Sequence, residues 1–166
     1  MINIYVANLA KYNEGILKGE WIELPCVDLD ERIAEILGND EECAIHDYES
    51  DVEGLRIGEY SNVYKLNELA ERLDGMQAWE LEELNALTEV CSDIEEALET
   101  YHDSNYTVLH SVNNDYDLGY EYMEMTGDLT NMSEFAQRYF DYESLGRDLG
   151  FNGWHITDNG LAICRS

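Results

Sequence analysis

Basic residues are scarce in this 166-residue chain: nine Lys and Arg stand against 37 Asp and Glu, a formal net charge of −28. From Leu73 to Gln137 there is no Lys or Arg at all, while the same 65 residues hold sixteen Asp and Glu. The field of such a chain repels DNA, RNA and anionic membranes and attracts basic surfaces. Nucleic acid and membrane are therefore excluded as expected partners. Proline occurs once, at Pro25, and no apolar run exceeds four residues, as in Ile4-Tyr5-Val6-Ala7. Runs that short exclude a transmembrane helix and a signal-peptide core. The four cysteines (26, 43, 91 and 164) form no Cys-x-x-Cys. They read as small, reduced residues of a cytoplasmic protein.

Catalytic signatures are missing too. No phosphate-binding Gly-x-x-x-x-Gly-Lys loop, no Gly-x-Ser-x-Gly and no His-x-x-x-His occurs. His46-Asp47-Tyr48-Glu49 could form a base beside carboxylates, but no nucleophile or second His is near in sequence, so it reads as a polar strand end. Asn113, Asp115, Asp117 and Glu124 fall at the ligand spacing of a calcium loop. Leu118 then stands where the sharp turn needs Gly, which argues against that loop. The expectation is no enzyme, no cofactor and no metal.

What is present is enough to build cores: 45% hydrophobic residues and twelve Tyr. The pattern predicts an α+β protein of three small consecutive units. Residues 1–61 read as an α+β unit with a three-stranded antiparallel sheet. Its strands are Ile2–Leu9, Ile16–Leu24 with Trp21 as a core anchor, and Glu42–Glu49. Lys11 to Gly15 suits a turn. Asp28 can cap a helix with Leu29, Ile33, Ile36 and Leu37 on one face and Gly38 past its end. Residues 62–103 read as all-helical. Asn62 caps one helix and Gly75 ends it. A second helix turns Trp79, Leu84, Leu87 and Cys91 inward, and a Ser92–Glu95 capping box opens a third. The acids at 82, 83, 89, 93, 96 and 99 fall between the apolar positions, so they are expected in water. Residues 104–166 read as a second α+β unit. It holds a strand over Tyr106–Val112 and a helix capped by Asp115 with Leu118, Tyr122 and Met125 on one side. Two short helices follow, and then a C-terminal hairpin turning at Asp158-Asn159-Gly160.

The chain resembles the ArdA antirestriction family. The resemblance rests on Ile4-Tyr5-Val6-Ala7-Asn8-Leu9 followed by Tyr12-Asn13-Glu14-Gly15-Ile16-Leu17-Lys18-Gly19-Glu20-Trp21-Ile22. Ala44-Ile45-His46-Asp47-Tyr48-Glu49, Ile57-Gly58-Glu59-Tyr60 and Leu66-Asn67-Glu68-Leu69-Ala70 continue it. The resemblance implies an elongated homodimer joined through its C-terminal unit, carrying carboxylates that imitate DNA phosphates. It implies a partner as well: the DNA-recognition and modification core of type I restriction–modification enzymes, blocked on behalf of mobile genetic elements. It brings no catalytic residues. Duplex DNA carries about one charge per 1.7 Å, so 28 charges correspond to roughly 48 Å of duplex. A compact chain of this length has a gyration radius of only about 15 Å, so an extended shape is expected.

The motifs assign no single phosphate mimic. By position, the candidates are Glu80, Glu82, Glu83, Glu89, Asp93, Glu95, Glu96, Glu99, Asp103, Asp115, Asp117, Glu121 and Glu124. Residues 138–166 carry four acids and three bases, a net −1, against −11 for residues 1–72 and −16 for 73–137. Like charge opposes association elsewhere, so the nearly neutral end is the expected dimer surface, through Phe140, Tyr142, Phe151 and Trp154. The alternative is an acidic interaction module for another basic DNA-binding or nucleoid protein.

Overall fold

The computed structural model describes the whole chain, Met1–Ser166. It is an α+β protein that divides into two compact units, Met1–Gln77 and Ala78–Ser166. The three helices expected between residues 62 and 103 are shared between them, one in the first unit and two in the second.

In the first unit, β1 (Ile2–Asn8) is the central strand of a three-stranded antiparallel sheet. It pairs with β2 (Gly19–Leu24) on one side and β3 (Cys43–Ser50) on the other. Alternation sorts the side chains. Ile2, Ile4 and Val6 of β1, with Ile22 and Leu24 of β2, are buried on one face. Helix α2 (Leu29–Leu37) packs there through Leu29, Ile33 and Ile36, and Gly38 ends it at φ 61°. Between β1 and β2, residues Leu9–Asn13 form a short helix, α1, where a turn was expected. Asn8 explains this, because its side-chain oxygen accepts from Lys11 N at 3.0 Å and so caps the helix. Its amide nitrogen donates to the carbonyls of Ile36 and Leu37, both at 3.1 Å, closing the end of α2. One fully buried polar residue thus satisfies two helix termini. Helix α3 (Val63–Leu73) starts at Asn62, whose side chain accepts from Tyr64 N and Lys65 N, as expected.

Trp21 was expected in the core, and it is on the opposite face, 40% exposed. Register is the cause. Trp21 pairs across from Tyr5, in phase with Asn3 and out of phase with Ile4 and Ile22. Asp28 does precede α2, but its side chain makes no capping bond.

In the second unit, α4 (Ala78–Thr88) and α5 (Ile94–His102) pack together through buried Leu84, Leu87, Ala97 and Leu98. Trp79 was expected inward and is 56% exposed. The third-helix cap is Asp93 rather than Ser92, with Asp93 Oδ1 accepting from Glu96 N at 2.9 Å. A sheet of order β4-β6-β5 follows, built from Tyr106–His110, Leu161–Arg165 and Trp154–Ile156, with the last two as the expected hairpin. Helix α6 (Asp115–Thr126) is capped by Asn114, one residue before the expected Asp115. It buries Leu118 and Met123 while Met125 stays 47% exposed. The short helices α7 (Asp128–Asn131) and α8 (Glu134–Tyr139) lead to α9 (Tyr142–Phe151). Helices α6 and α9 approach closely because both carry glycine at the crossing. A Cβ on Gly119 would sit 2.0 Å from Tyr142 O, and one on Gly146 1.7 Å from Asp115 O. Beside the crossing, Leu109, Val112, Leu118, Leu149 and Ala162 form a core against the sheet.

Candidate partner-binding surface

The second unit holds nineteen Asp and Glu against three Arg. Its acids fall into two groups. The first group is held by the chain's own donors. Tyr101 Oη donates to Glu80 at 2.9 Å, and Tyr106 Oη donates to Glu83 at 2.7 Å. The two tyrosine rings stack, with centroids 6.2 Å apart. Burial, then the bond to Glu80, raises the Tyr101 phenol to about 12. Burial and Glu83 raise Tyr106 further still. His155 Nε2 lies 2.6 Å from Glu89, and Arg165 Nη2 donates to Glu96 at 2.6 Å. Glu96 also accepts from the Ser92 backbone N–H at 2.7 Å and its hydroxyl at 2.8 Å. Those Ser92 bonds, with Arg165 after them, lower its carboxyl to about 2. Asp93 caps α5, and Asp117 accepts from the Asn113 N–H and the Asn114 amide at the start of α6. The spacing that resembled a calcium loop is therefore a helix start.

Glu83 was expected in water and is instead buried, with 8% relative exposure. Its position on α4 is beside Leu84 and Leu87, facing Tyr106 of β4, and His110 Nε2 stands 3.9 Å from its other oxygen. Helical spacing alone put it among the solvent positions. A long-range tyrosine partner, invisible in local pattern, brings it inside.

The second group points outward. Glu82, Glu99, Asp103 and Glu124 are exposed, and their carboxylates make no ion pair or hydrogen bond within the chain. Glu95 is exposed as well, one helical turn before Glu99 on α5, with Asp103 a turn later. Like charges four residues apart on a helix oppose it by a few tenths of a kcal/mol per pair. Asp115 and Glu121 on α6 are half-buried.

The aromatic candidates for a dimer surface separate in the same way. Tyr142 is 4% exposed and sits in a core cluster with Met123 and Leu129, which corrects its placement on a contact surface. Phe140 packs against that cluster, and Trp154 meets Tyr122 edge-on at 6.0 Å. Phe151 remains open at 83%. Phe135 and Tyr139 are open too, their rings 4.8 Å apart on α8. Their i, i+4 spacing in the sequence is the signal for a shared helix face.

No group of three or more His, Cys, Asp and Glu is placed to hold a metal ion. No helix is long and apolar enough to cross a membrane. None of the curated proteins compared with the sequence matches it significantly. A family model described as "Antirestriction protein (ArdA)" matches residues 4–162, nearly the whole chain. The acidic chain described above therefore belongs to the ArdA antirestriction family.

Proposed function

We propose that this chain acts as a DNA mimic. Its outward carboxylates occupy the DNA-binding groove of a type I restriction–modification enzyme and exclude DNA from the recognition and modification core. The observation that carries this reading is the set of exposed carboxylates without cations: Glu82, Glu99, Asp103 and Glu124. A groove built for phosphates supplies Lys and Arg that such side chains lack at home, and joining the two releases counterions as DNA binding does. Each exposed pair contributes at most about 1 kcal/mol, so affinity is a sum over many contacts. The acids held by Tyr101, Tyr106, His155 and Arg165 serve the frame instead.

We further propose that two copies join through the C-terminal segment, with Phe135, Tyr139 and Phe151 as the contact side chains. Tyr139 and Phe151 lie in the nearly neutral segment 138–166, and the open Phe135 ring packs beside Tyr139 just before it. The functional reading is tested by adding the protein to a purified type I enzyme bound to labelled duplex. Displacement of duplex, saturating at a fixed ratio of inhibitor to enzyme, is expected. Inhibition of cleavage with the duplex still bound would overturn it, and displacement from unrelated nucleoid proteins alone would favour the broader acidic module.

A further inference from the structure

The outer face of the first unit's sheet is open. On it, Trp21 and Tyr5 stand side by side, ring centroids 5.6 Å apart, and Asp47 flanks Tyr5 on its other side. In the next row Glu23 and Glu49 flank Asn3. Neighbouring strands are about 4.8 Å apart, so the acids of β3 lie roughly 10 Å from the Trp21 backbone across this face. Glu23, Asp47 and Glu49 are exposed, and none of them is in an ion pair. The nearby Arg32 is held by Glu20 at 2.8 Å and donates to the Trp21 backbone carbonyl at 3.1 Å, so it neutralises none of these three carboxylates. Trp21 is 40% exposed to solvent.

We infer that this sheet face docks arginine side chains of the basic protein the chain inhibits. A guanidinium is planar and weakly hydrated, so it stacks on an indole while its N–H groups reach carboxylates at the rim. Lysine is a compact and strongly hydrated charge and gains less from the ring. Grooves that bind phosphates are rich in arginine, which gives the face a partner of matching chemistry. This rests on the DNA-mimic reading and adds to it a surface where rings as well as charge select the partner.

The experiment has two arms on the full chain. In the first, hexa-arginine and hexa-lysine peptides are titrated in while the indole N–H resonances of the three tryptophans are followed, with Trp21 assigned by Trp21→Phe. A Trp21 shift at several-fold lower concentration of the arginine peptide is expected, weakened in Asp47→Asn/Glu49→Gln. An equal response to both peptides, or none at Trp21, overturns the inference. In the second, Trp21→Ala is compared with Trp79→Ala, which removes an exposed indole from the other unit. A roughly tenfold loss in displacing DNA from the enzyme is expected for Trp21→Ala only. Equal displacement by both folded variants overturns the inference. If the unaltered chain displaces no DNA, the mimic reading fails, and the peptide arm decides the sheet face by itself.

Discussion

Glu82 and Glu83 are neighbours in sequence and opposites in environment, and replacing each by alanine separates frame from surface. Glu83 is 8% exposed and accepts from Tyr106 Oη at 2.7 Å. Its removal leaves that hydroxyl without its partner in a half-buried position. A hydrogen bond to a charged group contributes about 1.5–3 kcal/mol, and relief from burying a charge offsets part of its loss. A net cost of about 2 kcal/mol follows, which lowers Tm by roughly 4–8 °C for a chain of this size. Glu83→Gln keeps an acceptor facing Tyr106 and restores most of the loss. Glu82 is exposed and unpaired, so Glu82→Ala changes stability by less than about 0.5 kcal/mol. It weakens inhibition by no more than about fivefold, the share of one exposed pair. Thermal melts followed by circular dichroism, with inhibition assayed well below Tm, read both effects. If Glu83→Ala melts normally but fails to inhibit, Glu83 contacts the partner and does not belong to the frame.

Gly146→Ala places a methyl 1.7 Å from a backbone carbonyl that no rotamer change can move. It is expected to cost about 3 kcal/mol or more, seen as a sharply lower Tm, and a normal melt would contradict the close helix crossing. The carboxyl of Glu96 is lowered from 4.5 to about 2, so its contribution to stability is full above pH about 4.5 and disappears as pH falls toward 2. Ser92→Ala and Arg165→Gln should each move the acid-unfolding midpoint upward within that window, and an unmoved midpoint would show the contacts to be idle. Charge reversal at Glu82, Glu99, Asp103 and Glu124 together should abolish displacement of DNA while far-ultraviolet dichroism stays unchanged. Phe135→Glu with Tyr139→Glu should convert a dimer to a monomer in light scattering, and a monomeric starting protein would refute the proposed contact.

Local chemistry made much of the fold legible. Asn62 as a cap, Gly38 as a stop, the Leu29–Ile33–Ile36 stripe and the C-terminal hairpin all depend on neighbours within a few residues. Long-range choices were not legible. Trp21 reads as a core residue by size, yet its strand phase puts it outside with Tyr5. Asn8 looks like the end of a strand, and only the folded chain brings Ile36 and Leu37 to its amide. Ser92 and Asp93 are both good caps, and the chain uses Asp93 for the helix while Ser92 binds Glu96. Among the candidate acids, charge and spacing could find the exposed ones but could not know that Tyr101, Tyr106, His155 and Arg165 would come to meet four of the others.

The salt dependence of binding to a purified type I modification core tests the central claim most directly. Isothermal titration from about 50 to 200 mM salt would yield the slope of log affinity against log salt. Mimicry predicts a steep negative slope, similar to that of duplex DNA on the same enzyme, with mutual exclusion of the two ligands. A flat slope, or simultaneous binding of duplex and protein, would contradict it.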